Sequence, residues 1–210
     1  KLNLDDKKIV ELIDLQEKLH NSIGRKREKV AIGIYPLEKI KLPIKFVGRN
    51  SGEIKFRPLE SENEMTGKQI LKNHPAGIEY SKLLEGGEIF PVFVDAENKI
   101  LSMPPIINSE ETGRVNSKTK EIFIECSGHN LAYLKKTLNI ILSSISEIGG
   151  KIYAVELKDS KGKNFISPDM SFYEIGFEIK NLEKTLGISL TEGEVKKYLG
   201  RMGIGYENRK

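Results

Sequence analysis

One segment limits the possible folds more than any other. From Leu131 to Ile148, apolar residues return every three or four positions, at Leu134, Leu138, Ile141, Leu142, Ile145 and Ile148. That is the spacing of a single helical face, and such a stripe has to be buried against another apolar surface. A second stripe opens the chain, at Ile9, Leu12, Ile13, Leu15, Leu19 and Ile23, with Asp5 or Asp6 placed to cap it and Gly24 to stop it. The chain between these helices is of another kind.

It consists of short β-branched and aromatic runs broken by Pro, Gly and Asn. Val30–Tyr35, closed by Pro36, reads as a strand, as do Ile44–Val47 and Ile54–Arg57 with Asn50-Ser51-Gly52 as the turn between them. Thr66–Lys72 and Pro75–Leu84 read as short helices, the second with Pro at its first position and Gly86-Gly87 at its end. Phe90–Val94 and Lys99–Met103 flank Asp95-Ala96-Glu97-Asn98, a hairpin signal. Pro104-Pro105 stops the second of these strands, and a polar loop runs from Asn108 to Ser117. Glu121–Cys126 is a strand that turns through Ser127-Gly128-His129-Asn130 into the long helix; Gly149-Gly150 ends that helix and Lys151–Leu157 returns as a strand.

After a turn-rich linker, Lys158–Asn164, the pattern predicts a last strand, Met170–Ile179, and two short helices, Leu182–Leu186 and Glu192–Met202, with Thr191 capping the second. That helical pair carries few large apolar residues and cannot build a core alone. The order predicts an α+β fold: a mixed, mostly antiparallel sheet packed with helices, followed by a short helical tail. Two domains are expected, residues 1–180 and the start of a further module at 181–210. No repeat or low-complexity stretch is present.

Composition excludes several classes. No apolar run approaches the roughly 20 residues that cross a bilayer, and residues 1–20 alternate charge and apolar groups unlike a signal peptide. The single cysteine, Cys126, leaves no intrachain disulfide and fits a reducing cytoplasm. The chain opens on Lys1 and closes on the charged stretch Glu207–Lys210, which reads as a piece of a longer protein. A net charge of +4 is too small to imply nucleic-acid binding by itself. The one dense basic cluster, Arg25-Lys26-Arg27, is either a solvated loop or a patch that neutralises phosphates.

The chemistry is not announced by any self-contained motif: there is no P-loop, no G-x-S-x-G, no H-E-x-x-H and no G-x-G-x-x-G. Cys126 and His129 are close in sequence, but His20 and His74 are scattered, so no metal site is expected. A Cys126–His129 nucleophile would lack an orienting group, and a packed cysteine is the alternative. Two stretches stand out. One is Ile100 to Asn108, where a strand meets a double proline; the other is Ile122 to Gly128, where Glu125 sits near the end of an apolar strand. That carboxylate either faces water at the rim or is satisfied by a partner.

These stretches, with Leu15 to His20, Gly24 to Arg27, Val30 to Tyr35, Glu64-Met65-Thr66, His74-Pro75, Glu79-Tyr80, Leu83 to Gly86, Pro91-Val92 and Phe123-Ile124-Glu125, resemble in order and spacing the editing domain of phenylalanyl-tRNA synthetase β subunits of archaeal and eukaryotic type. Leu186 to Leu190 and Leu199 to Gly203 resemble the start of the next β-subunit module. The chain departs at Ser127-Gly128-His129-Asn130, where the family commonly has Thr-Gly-Thr-Asp; the hydroxyl is kept at Ser127.

The resemblance implies hydrolysis of mischarged Tyr-tRNA(Phe) by water attack on the aminoacyl ester, without a side-chain nucleophile. It implies Phe93, Ser102, Glu125 and Ser127 as the editing pocket and Arg25, Lys26 and Arg27 as a tRNA contact. It further implies a cytoplasmic ligase of protein biosynthesis, with tRNA(Phe) and an α subunit as partners in an assembly of two α and two β chains. ATP and Mg²⁺ would serve the whole enzyme, with no cofactor in this region. The alternative is a non-catalytic tRNA-binding or structural module of the same subunit.

Overall fold

The computed structural model describes residues 2–209, which divide into two compact units, one ending at Met170 and the other running from Ser171. In the first unit, α1 (Asp6–Asn21) starts where the Asp5 side chain accepts the backbone N–H of Lys8, the local rule that the sequence carries. Strand β1 (Ala31–Pro36) is buried along its whole length. Next come β2 (Lys45–Asn50), the two-residue β3 (Lys55–Phe56) and β4 (Met65–Thr66). Thr66 and Gln69 form a reciprocal capping box for α2 (Gly67–Asn73), and α3 (Pro75–Tyr80) follows with Pro75 in its first turn.

Strands β5 (Ile89–Val94) and β6 (Ile100–Met103) form the predicted hairpin. Its turn is held by buried Asp95, whose Oδ1 accepts from the N–H groups of Glu97 and Lys99. The stretch expected as a polar loop instead holds β7 (Ile107–Asn108) and a short helix, α4 (Glu110–Gly113), with Thr112 buried against the β6 backbone. Strand β8 (Ile122–Ser127) leads to α5 (Leu131–Glu147), capped by Asn130. The strand predicted at Lys151–Leu157 is shorter, β9 (Val155–Lys158). It pairs with β10 (Asn164–Ser167), so the expected linker is a hairpin turn.

The α+β class holds, with every ladder among the described strands antiparallel. The strands are divided among a four-stranded sheet of order β2-β5-β6-β7 and three two-stranded pairs, β1-β8, β3-β4 and β9-β10. β2 and β3 do not pair across the Asn50-Ser51-Gly52 turn; β2 pairs with the distant β5 and β3 with the next strand, β4.

The β1-β8 pair is the pivot of the first unit. One face buries Ile32, Ile34, Ile122, Ile124 and Cys126 against the stripes of α1 and α5, including Leu12, Leu19, Ile141 and Ile145. The other face meets the four-stranded sheet through Tyr35, Leu101, Phe93 and Phe123. A separate core lies between that sheet and α2, built on Ile54, Phe56, Ile70, Phe90 and Val92.

In the second unit, the strand expected at Met170–Ile179 is absent: residues 171–178 carry no regular structure. Phe172, Tyr173 and Ile175 there are largely exposed, so no neighbouring strand rewards the β-branched and aromatic run. Helices α6 (Ile179–Leu186) and α7 (Glu192–Arg201) follow, joined through Gly187 in the left-handed conformation and the Thr191–Glu194 capping box. Val195 is the buried apolar residue of this unit.

Candidate functional site

β1 hydrogen-bonds to a single strand, which leaves its second edge to be covered. Helix α1 covers it with side chains: Gln16 Nε2 donates to the Ile32 carbonyl at 2.8 Å, and the Ile32 N–H donates to His20 Nε2 at 2.8 Å. Because that nitrogen accepts, His20 is neutral, and its Nδ1–H donates to Glu17 Oε1 at 3.1 Å. Along this edge runs a cleft of about 290 Å³ bordered by α1, the Pro104–Asn108 segment and residues 113–115.

Arg27 braces the cleft. Its guanidinium donates to the Ile106 carbonyl at 2.9 Å and to Glu17 Oε1 at 3.0 Å, and lies 4.4 Å from the centre of the Tyr80 ring. The His20 bond, and then the Arg27 charge and bond, hold the Glu17 carboxyl below its ordinary range. The turn that delivers Arg27 places Arg25, Lys26 and Arg27 in succession at φ 47°, 54° and 67°. Left-handed backbone costs a non-glycine residue roughly 1–2 kcal/mol. The three cations predicted as one tRNA contact are therefore divided: Arg25 and Lys26 are exposed, whereas Arg27 is turned into the protein and its Nε is buried without a partner.

Behind Gly33 of β1 lies Glu125. The two are register partners, and facing pairs of an antiparallel ladder share a face. The absent Cβ matters here, since one built on Gly33 would collide with Tyr35 Oη and Glu125 Oε1. Glu125 is 8% exposed and borders the cleft, so it is a buried carboxyl and no rim residue. Burial raises its pKa to about 8, against the opposing hydrogen bond from Tyr35 and the nearby Ser127 hydroxyl. Its Oε1 lies 3.2 Å from Tyr35 Oη, which lies 2.8 Å from Ser102 Oγ. Glu125 Oε2 and Ser127 Oγ are both buried with no hydrogen bond of proper geometry. Burial and the Glu125 charge push the Tyr35 phenol well above its ordinary pKa.

Three of the four residues expected in a pocket thus come together on one side of β1-β8: Glu125 and Ser127 on the strand face, and Ser102 joined to Glu125 through Tyr35. Glu125 borders the cleft directly, and Ser127 stands opposite Ala31, which does so too. Ser102, 1% exposed, sits behind Tyr35. Phe93 pairs with Ser102 across the hairpin but stacks on Phe46 at 4.6 Å, in the cluster between the sheets and away from the cleft. Sequence reasoning missed Tyr35, Gly33 and the Glu17–His20–Arg27 brace. Gly33 was the available signal, because a glycine inside a β-branched strand marks close approach.

Cys126 faces the apolar core of α1 and α5, where burial pushes its thiol far up, and His129 is exposed in the turn, so the pair makes no nucleophile. Among the described residues no three His, Cys, Asp or Glu side chains gather as a protein-held metal ion needs. No described helix is long and apolar enough to cross a membrane.

A family model described as the B3/4 domain matches residues 3–144, which includes the cleft, Tyr35 and Glu125. The chain belongs to the B3/4 domain family. It is similar to the phenylalanine–tRNA ligase β subunit of Thermococcus kodakarensis, 39% identical over 211 aligned residues, covering all of this chain and 36% of that protein. To the Pyrococcus abyssi β subunit it is 41% identical, over 98% of this chain and 37% of that one. It therefore spans about a third of the length of these relatives. The crystal structure of an N-terminal fragment of the Pyrococcus horikoshii phenylalanyl-tRNA synthetase β subunit matches all of this chain and 60% of that fragment, with 38% identity and a TM-score of 0.93. The B3/4 domain here is thus of the kind carried by phenylalanine–tRNA ligase β subunits.

Proposed function

We propose that the cleft beside β1 is an editing site that hydrolyses Tyr-tRNA(Phe) and spares Phe-tRNA(Phe). The observation that carries this reading is Glu125: a buried carboxyl bordering the cleft, with one oxygen making no hydrogen bond of proper geometry. Tyr and Phe differ by one hydroxyl. A site whose buried polar groups await that hydroxyl rejects the analogue without it by roughly 10⁴–10⁵, because those groups would stay unpaired. An apolar slot has no such lever. Hydrolysis then rests on holding the ester and a water in line, since the cleft offers no activated Ser or Cys. Exposed Arg25 and Lys26 supply phosphate contacts, and Arg27 supports the wall.

As part of a β subunit, the chain would work in the cytoplasm with an α subunit and tRNA(Phe), and ATP and Mg²⁺ would serve Phe activation elsewhere in that ligase. Residues 181–210 would open the next module. Deacylation assays with the purified chain test the editing reading: Glu125→Ala should slow Tyr-tRNA hydrolysis at least about tenfold, with circular dichroism unchanged. A wild-type rate in that variant would sink the assignment, and no hydrolysis by the unaltered chain would favour the non-catalytic module.

A further inference from the structure

Glu125 has two oxygens, and the fold treats them differently. Tyr35 is fully buried and its hydroxyl lies between Ser102 Oγ and Glu125 Oε1. A phenol has one proton to give, so the order of donors has to be settled. Ser102 Oγ has no other hydrogen-bond partner among the described residues. If Tyr35 donated to Ser102, the buried Ser102 proton would have no acceptor, at a cost of roughly 1–3 kcal/mol. The arrangement that uses every donor runs from Ser102 to Tyr35 and from Tyr35 to Glu125 Oε1.

We propose that Tyr35 is a positioning residue for specificity: by occupying Glu125 Oε1, it leaves Oε2 as the one carboxyl oxygen offered to the hydroxyl of the bound aminoacyl group. The inference rests on the editing reading of the cleft. In the protonated carboxyl the proton then lies on Oε2, because Oε1 is already an acceptor. Oε2–H donates to the substrate phenol oxygen, and the phenol O–H donates to Ser127 Oγ, the second buried atom of the site with no hydrogen bond of proper geometry. Both halves of the substrate hydroxyl are then satisfied. A Phe ring would leave both protein groups unpaired. Gly33 is part of the device, since any side chain there would displace the Tyr35–Glu125 contact.

The other titratable groups do not compete for Glu125 Oε1. Cys126 points to the opposite face of β8. Glu17, His20, Arg27, Glu60 and Arg114 border the cleft, and the first three are engaged with one another.

The test compares unaltered chain, Tyr35→Phe and Ser102→Ala in Tyr-tRNA and Phe-tRNA deacylation, with the Glu125 carboxyl titrated by carbon NMR. Tyr35→Phe keeps the ring and should lower the preference for Tyr over Phe by about tenfold, the worth of one strong hydrogen bond. It should also move the Glu125 titration above about 8, because a bond that favours the anion is gone. Ser102→Ala leaves the Oε1 bond in place and should change both less. Should Tyr35→Phe fold poorly, difluorotyrosine at position 35, a stronger donor of nearly the same shape, should move the titration downward. A selective Tyr35→Phe with an unmoved titration overturns this inference alone. An unaltered chain that does not hydrolyse Tyr-tRNA overturns the editing reading and this inference with it.

Discussion

The two faces of the β1-β8 pair are made from the same strands and do opposite work. Ile32, Ile34, Ile122, Ile124 and Cys126 point at the helices and are apolar without exception. Ala31, Gly33, Tyr35, Glu125 and Ser127, one residue out of phase, carry two unpartnered polar atoms and a carboxyl whose pKa is raised to about 8. A well-packed face stabilises, and a face with buried polar groups short of partners is the one that the proposed ligand would satisfy. The period of two in a strand lets one ribbon do both.

The largest effect that would sharpen this contrast lies on the apolar face. Ile141→Ala, in the α5 stripe packed on that face, should cost about 2–5 kcal/mol in urea unfolding, the range for a fully buried aliphatic side chain, while folded molecules keep the proposed preference for Tyr-tRNA. Loss of that preference would show that the faces are not separable.

The next effect belongs to the site face and has a definite sign. Glu125 titrates near 8 in the folded chain and near 4.5 when unfolded, so the folded state binds the proton more tightly. Its contribution is fully present below about pH 4.5 and is lost as pH rises toward 8. Glu125→Gln has no such titration. Between pH 5 and 8 the unaltered chain should therefore lose a few kcal/mol of stability relative to Glu125→Gln, as read by denaturant melts across pH. Parallel curves would mean that Glu125 is not buried in solution.

The smallest effect on stability, and the sharpest test of division of labour, is Ser127→Ala. Removing a buried hydroxyl that makes no hydrogen bond of proper geometry should shift stability by less than about 0.5 kcal/mol, yet weaken the proposed discrimination against Phe-tRNA. A large destabilisation would mean that Ser127 holds the fold after all.

How far the sequence reaches is clear from particular residues. The caps at Asp5, Thr66, Asn130 and Thr191, the Asp95 hairpin and the stripes of α1 and α5 form as local rules require, because donor and acceptor sit within a few positions of each other. Strand partners do not follow from such rules. β2 was readable as a strand, but its pairing with β5 spans some forty residues and depends on the shared core of Ile54, Ile70 and Phe90. The run at 170–179 failed for the same reason from the other side: the propensity is there and no neighbour is.

By itself, then, the sequence determined the α+β class, the two helical stripes and the family resemblance, since each depends on residue type at short spacing. Only the tertiary structure decided what the charged groups do. Arg25 and Arg27 are two positions apart, yet one is exposed and the other braces Ile106 across 79 residues. Tyr35 and Glu125 are 90 residues apart, yet share a hydrogen bond because Gly33 lets them meet. Burial and partnership set the chemistry of a polar side chain, and both are properties of the packed whole.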